Sequence, residues 1–190
     1  MRAQVLYTLI FYIDNIVTIV YTEEIESVIF PFFLKCLACN HDKIQKLALC
    51  RLQIIFNKIQ TEENIKILFG KLTKFFKSSN EALVYLTLKF IEENLNRFEK
   101  STVYGIFAEQ LEELVRESKK FENYVSDLIF KIFYKVYKNE EREGGNCSYK
   151  YLRIFLMIIG EANVSKPVFN QCFTIVTTII NKVKKRELVF

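Results

Sequence analysis

The side chains with the greatest potential for chemistry lie close together in one short stretch. Cys36 and Cys39 are three residues apart, and His41 and Cys50 follow. Thiolates and imidazoles are ligands that zinc prefers, but Cys-x-x-Cys pairs in zinc fingers lie on turns, whereas this pair ends a predicted helix. A cysteine nucleophile activated by His41 and oriented by Asp42 is the other possibility, although neighbours on one turn rarely reach each other in that geometry. We therefore predict free thiols, with no metal ion and no cofactor.

A second candidate is a stripe of carboxylates on one predicted helix face, at spacings of three and four residues: Glu109, Glu112, Glu113 and Glu117. Acid–base catalysis by two carboxyl groups needs a pocket that separates their pKa values. This helix face is predicted to be solvated instead. We expect a surface stripe, whose simplest function would be docking of a basic partner.

Basic residues occupy apparently equivalent positions in three successive helices, at Arg51, Lys89 and Lys131. If these helices line the concave face of a helical stack, the three side chains form a basic ladder, which Lys135 and Lys138 extend. Such a ladder suits an acidic peptide or the phosphates of a nucleic acid. The alternative is that this spacing is a coincidence and that the long side chains only keep their charged ends in water.

The C-terminal end carries a further basic group, formed by Lys182, Lys184, Lys185 and Arg186. The whole chain has 27 basic and 22 acidic residues, a formal net charge of +5. This is mildly basic and falls short of a dedicated nucleic-acid-binding domain. A frayed, solvated end is the simpler interpretation of the basic tail.

Composition restricts the architecture that must position these residues. Of the 190 residues, 51% are hydrophobic, which excludes a disordered chain. Five glycines and two prolines are too few for the turns of a β-sandwich or barrel, and no Gly-rich nucleotide-binding loop is present. A single histidine excludes catalysis that needs two. The aromatic pairs Phe32–Phe33, Phe75–Phe76 and Phe133–Tyr134 are predicted to fill the core.

The N-terminal stretch from residue 5 to 21 is strongly apolar and raises the question of a membrane. Asp14 and Asn15 lie in its middle, and the stretch is short for a transmembrane helix. No small-residue cleavage site follows, so a secretory signal is not predicted either. We therefore expect this stretch to form a buried helix without a membrane role. The five unevenly spaced cysteines and the absence of a secretory signal predict an intracellular protein of the cytoplasm or nucleus.

Helical periodicity runs along the whole chain and predicts about nine helices. Thr22-Glu23-Glu24 and Thr61-Glu62-Glu63 are 39 residues apart, and each is typical of a helix start. The second helices of successive pairs align in sequence with offsets of 38 and 42 residues. This alignment matches Ile44 with Ala82 and then with Tyr124. A period near 40 residues indicates helix pairs that stack on a shared core.

The segment from Pro31 to Leu52 resembles a HEAT repeat of the HEAT/armadillo-like family. The family's proline, its Asp/Asn-containing turn and its aliphatic, basic and small residues match Pro31, Asn40, Asp42, Ile44, Lys46 and Ala48. Gln45 stands where the family usually has Arg, and the later pairs lack the proline. The resemblance implies an all-α, right-handed α-α superhelix, a HEAT-like solenoid.

These observations predict one helical-repeat domain over residues 1–190, with a flexible loop at about 139–148 and a last helix pair at 149–186. The predicted function is that of a non-enzymatic scaffold or adaptor, which binds a protein partner on its concave face or at its N-terminal end. Nucleic-acid or ribonucleoprotein binding through the ladder and basic tail is the alternative. A compact domain that binds a short peptide is a third possibility.

Overall fold

The computed structural model describes residues 3–97, 110, 112–142 and 148–187, with the backbone alone for 148–150 and 184–187. Across these residues the chain consists of helices and turns, without a strand, and the all-α prediction is confirmed. The chain divides into two compact units, Met1–Phe98 and Glu99–Phe190. The right-handed superhelix and the single repeat domain stay predictions.

The first unit is a series of helices joined by short turns. Its α-helices are α1 (Ala3–Phe11), α2 (Ile13–Ile19), α3 (Thr22–Glu24), α4 (Phe30–Ala38), α5 (Asp42–Phe56), α6 (Glu62–Leu72) and α7 (Glu81–Glu93). A π-helical turn, Ile25–Ile29, joins α3 to α4, and 3-10 turns at Thr73–Lys77 and Leu95–Arg97 follow α6 and α7.

These helices form pairs that pack on one another. Helix α4 packs against α5, and the 3-10 turn after α6 packs against α7. Between the pairs, α4 contacts α6 and α5 contacts α7, while α1 and α2 lie against α5. A helix pair buries its apolar faces only by stacking on a neighbour, so this packing accounts for the high apolar content.

Burial corrects the alignment of the repeat by one residue. The fully or nearly fully buried positions of α5 recur 39 residues later in α7, and those of α7 recur 42 residues later in the second unit. The aligned sets are Ile44, Ala48, Leu52; Leu83, Thr87, Ile91; and Val125, Ile129, Phe133. The predicted partners of Ile44 are only partly buried (Ala82) or exposed (Tyr124). The predicted offset of 38 between α5 and α7 is therefore wrong.

Three local predictions from the sequence differ from the structure of the first unit. The apolar pattern predicts one helix over about 2–20, but the helix breaks at Tyr12, whose backbone lies at ψ 8°. The Thr22-Glu23-Glu24 start predicts that the Thr22 hydroxyl is an N-cap, but Tyr21 is the N-cap residue, and its backbone N–H donates to the Glu24 carboxylate at 3.1 Å. Pro31 predicts a kink inside the second helix; the observed interruption is the π turn, which leaves the proline in the first turn of α4, where its missing N–H costs little.

The start of α6 is held by a carboxylate from the preceding pair. Glu26 accepts the backbone N–H groups of Gln60 at 2.5 Å and Thr61 at 2.8 Å, together with the Thr61 hydroxyl. The hydroxyl and the two N–H groups outweigh partial desolvation and hold the pKa of Glu26 below its usual value. Glu26 lies 35 residues before Thr61, so this link joins one repeat to the next.

The second unit contains α8 (residues 112–117), α9 (Asn123–Arg142), α10 (Ser148–Glu161) and α11 (Lys166–Glu187), with a 3-10 turn at Ser118–Lys120. Helix α10 packs against α9 and α11. The sequence predicts that Pro167 lies in the first turn of a helix, where proline is tolerated, and it lies in the first turn of α11. The Ser165 N–H before it donates to Asp127 at 2.9 Å. The predicted last pair at 149–186 matches α10 and α11.

The loop predicted at about 139–148 is corrected in its first four residues, because α9 continues through Arg142. Glu141 explains the extension, since its carboxylate pairs with Lys138 at 2.8 Å and also with Lys182. These contacts stabilise the last helical turn. Residues 143–147 of the predicted loop lie outside the described part of the chain.

Two further predictions concern the core and the membrane. Phe33, Phe75, Phe76 and Phe133 are buried, so the aromatic pairs contribute to the core as predicted. No helix within the described residues combines the length and the apolar character that a membrane span requires.

Candidate partner-binding surfaces

Arg51, the first residue of the predicted ladder, forms an ion pair within the first unit. Its guanidinium lies 2.7 Å from the carboxylate of Asp14 on α2, and both side chains are roughly one-third exposed. The pair therefore links α2 to α5. In the corrected alignment, Arg51 corresponds to the buried Phe90 of α7, and Cys50 corresponds to Lys89. Arg51 and Lys89 are thus not equivalent positions.

The remaining ladder residues are on the helix surfaces. Lys89 is exposed and lies 4.0 Å from Glu93 on the same helix. Lys131 and Lys135 are exposed on α9. Lys138 pairs with Glu141 and lies between 5 and 6 Å from the ring centroids of Tyr134 and Tyr137. The ladder stays a prediction.

The basic tail begins on α11, and one of its residues is engaged. Lys182 pairs with Glu141, which already binds Lys138. The hydrogen bonds from Lys138 and then Lys182 lower the pKa of Glu141 to about 2. The backbone of Lys184, Lys185 and Arg186 belongs to α11, and their side chains lie outside the described part.

The carboxylate stripe is on the surface of α8. Glu112 pairs with Arg153 of α10 at 3.0 Å, and Glu117 lies 3.6 Å from Lys120. Glu113 is exposed, and Glu109 lies outside the described residues. Positive partners from the same unit therefore already balance part of this charge.

The cysteine cluster contains an unreactive thiol rather than an assembled metal centre. Cys36 is fully buried, and burial raises its pKa to about 12. The Cys39 thiol donates to the Cys36 carbonyl at 2.9 Å, whereas Cys50 is exposed. In the described part of the chain, no three His, Cys, Asp or Glu residues are arranged to hold a metal ion.

Helix α1 presents an apolar surface that the sequence predicted as buried. The segment Ala3–Phe11 has no charged residue, and Val5, Tyr7, Leu9 and Phe11 are 39 to 50% exposed. Within the described residues α1 packs on α5 and α2, so only part of its circumference is covered. The burial predicted for the stretch from residue 5 to 21 holds for Ile10 of α1 and for Ile13 and Val17 of α2.

Helix α11 exposes apolar residues in the second unit. Phe169 and Phe173, one helical turn apart, are 41 and 60% exposed, and Ile180 continues along the helix. Cys172 and Ile179 of the same helix are buried.

The sequence predicted partner binding at the N-terminal end, where the α1 surface lies, but it did not indicate a polar cavity in the first unit. The cavity has a volume of about 550 Å3 and includes Lys71, Lys74 and Lys77 in its wall. The spacing of these lysines by three residues was a signal, since such spacing places side chains on one helix face. The uncharged nine-residue segment of α1 can be recognised in the sequence, but the sequence does not show which side of a helix stays uncovered.

The chain matches no protein-family model, and no curated protein or solved structure matches it significantly.

Proposed function

We propose that this chain is a non-enzymatic, HEAT-like scaffold that binds a helix of a partner protein on the exposed surface of α1. The observation that carries the proposal is the surface of Val5, Tyr7, Leu9 and Phe11, apolar side chains that remain 39 to 50% exposed on a helix without charge. Tyr7 and Phe11, one helical turn apart, lie on one side of α1, and Val5 and Leu9 lie on another side. Exposed apolar surface of this kind marks protein interaction sites.

The packing of the neighbouring helix indicates the kind of occupant. Helix α5 packs against α1, α2, α4 and α7, whereas the main packing partners of α1 within the described residues are α5 and α2. A partner helix can pack on α1 as α1 packs on α5, which extends the stack by one element. Because Ala3–Phe11 is uncharged, the partner surface should be apolar rather than acidic or basic.

Charge pairing makes nucleic acid the weaker candidate. Arg51 is paired with Asp14, Lys89 with Glu93, and both Lys138 and Lys182 with Glu141. A phosphate backbone would have to compete with these carboxylates, which reduces the gain from counterion release.

The test is affinity purification of the tagged chain from its native cells, with and without nuclease. A double variant, Tyr7→Glu with Phe11→Glu, should lose the stoichiometric protein partner, because two carboxylates are costly to bury in an apolar interface. The matched control is Phe169→Glu with Phe173→Glu, which changes two exposed aromatic residues at the same spacing on α11.

Circular dichroism of both variants verifies that they fold. A partner retained by the α1 variant and lost by the α11 variant would contradict the proposal. Disappearance of every co-purifying protein after nuclease treatment would favour the nucleic-acid alternative. Photo-crosslinking from position 11 then maps the partner segment and shows whether it is helical.

A further inference from the structure

A surface cavity of about 550 Å3 lies beside the turns of two successive helix pairs in the first unit. Its wall includes the turn between α4 and α5, with Asn40 and Asp42, and the turn before α7, with Ser78, Ser79 and Asn80. This volume lies in the range of small-ligand sites.

The charge of the cavity wall is positive. Three lysines (Lys71, Lys74 and Lys77) face one acidic residue, Asp42, which leaves a formal charge of +2. Lys71 and Lys74 make no ion pair within the part of the chain that the structure describes. An anion that enters the cavity therefore need not displace a carboxylate from these two ammonium groups.

The polar groups of the wall are already ordered by hydrogen bonds to one another. The Asn80 side chain donates to Asp42 at 2.5 Å, and the Asn80 backbone N–H donates to the Ser78 hydroxyl oxygen at 3.1 Å. Gln45 donates to the carbonyls of Leu37 and Cys39. Since Ser78 accepts through its oxygen, its own O–H is left to donate to a ligand.

We propose that this cavity binds a phosphate monoester, with Lys71 and Lys74 as its principal ammonium partners and Ser78 as a hydroxyl donor. A monoester carries between one and a half and two negative charges at neutral pH, about the opposite of the wall's charge. A carboxylate or a phosphodiester supplies one charge and should bind more weakly. A free metabolite and a phosphorylated peptide side chain are the two sources that offer this ester chemistry.

The experiment is isothermal titration calorimetry on the purified full chain, and it does not depend on the proposed scaffold function because no partner is present. The probes are glucose 6-phosphate, a pentapeptide with a central phosphoserine, the same peptide without phosphate, and dimethyl phosphate. At least one monoester should bind saturably, and the unphosphorylated peptide and the diester should bind at least about tenfold more weakly. Tighter binding of the phosphopeptide assigns the ester to a peptide, and tighter binding of glucose 6-phosphate assigns it to a metabolite.

Three variants make the result specific. The double variant Lys71→Gln with Lys74→Gln should weaken monoester binding by at least about tenfold. The double variant Lys35→Gln with Lys58→Gln removes the same charge from exposed positions outside the cavity wall and should leave affinity within about twofold. Asp42→Asn removes the one negative charge and should strengthen binding, with thermal unfolding as the measure of folding. Equal affinity of the Lys71/Lys74 variant and the natural chain, or no saturable monoester binding, would overturn the proposal.

Discussion

The two units secure the end of a long helix with different chemistry. In the first unit, Arg97 donates to the carbonyls of Phe56 at 2.5 Å and Ile59 at 2.6 Å, where α5 ends. In the second unit, the last turn of α9 is held by Glu141, through Lys138 and Lys182. An arginine that binds carbonyls keeps its charge at any ordinary pH, whereas a carboxylate loses its ion pairs when it is protonated. Acid should therefore leave the end of α5 intact and weaken the contacts that hold the end of α9.

Buried aromatic rings pack against one another in both units. Phe56 in the first unit has an edge contact with Phe90 at 5.1 Å and lies under the Arg97 guanidinium at 4.1 Å. Phe155 in the second unit lies between 5.8 and 6.4 Å from the rings of Phe130, Tyr137 and Tyr151. Both cores therefore depend on aromatic contacts, and the contact with Arg97 joins the Phe56 ring to the arginine that holds the end of α5.

Removal of these rings should have the largest effect on stability. Phe56→Ala and Phe155→Ala each empty a fully buried site and should reduce the free energy of unfolding by about 3–5 kcal/mol. Each substitution also removes aromatic contacts, which are worth about 0.5–1.5 kcal/mol apiece. Urea unfolding followed by circular dichroism gives the totals.

Hydrogen exchange shows which helices each substitution destabilises. Phe56→Ala should accelerate amide exchange in α5 and α7, and Phe155→Ala in α9, α10 and α11. Phe56→Leu and Phe155→Leu serve as milder controls that keep most of the volume. A loss of less than about 1 kcal/mol in either alanine variant would contradict the assignment of that ring to the core.

The acid sensitivity of the second unit gives the next largest effect. The pKa of Glu141 is lowered from 4.5 to about 2 by its lysine partners. A lowered folded-state pKa contributes stability above pH 4.5, and this contribution is lost as the pH falls from 4.5 towards 2. Glu141→Gln should therefore reduce stability at pH 7 by about 1 kcal/mol and flatten the acid part of the pH profile.

Glu161→Gln is the matched control, since Glu161 ends α10 and makes no ion pair within the described residues. Unfolding by urea at pH values between 2 and 7 measures both profiles. An unchanged acid dependence in Glu141→Gln would show that the ion pairs with Lys138 and Lys182 contribute nothing to the end of α9.

Much of the fold could be predicted because helix starts and apolar periodicity are local signals. Thr61 does precede α6, and Pro167 does lie in the first turn of α11. The repeat offset was wrong by one residue because α7 has apolar side chains, such as Ala82 and Leu86, next to its buried positions, and a wide apolar face leaves the alignment ambiguous.

The candidate sites were harder to predict because their partners are distant in sequence. The ion pair of Arg51 with Asp14 spans 37 residues, and that of Lys182 with Glu141 spans 41. Helical periodicity does not reveal contacts between residues so far apart in the sequence. The polar sequence after Lys138 therefore predicted a loop, although Lys182 from α11 holds Glu141 in the helix.

The smallest expected effect comes from two glycines inside helices, one in each unit. Gly70 of α6 and Gly160 of α10 are exposed, and a Cβ added at either position meets no other atom within 4 Å. Alanine loses less conformational freedom than glycine when a helix forms, so Gly70→Ala and Gly160→Ala should each raise the free energy of unfolding by about 0.5–1 kcal/mol. Urea unfolding of the single and double variants measures the gain. Because a Cβ at either position meets no other atom within 4 Å, the double variant should gain the sum of the two increments. A loss of stability from either substitution would contradict the conformational-entropy argument for that glycine.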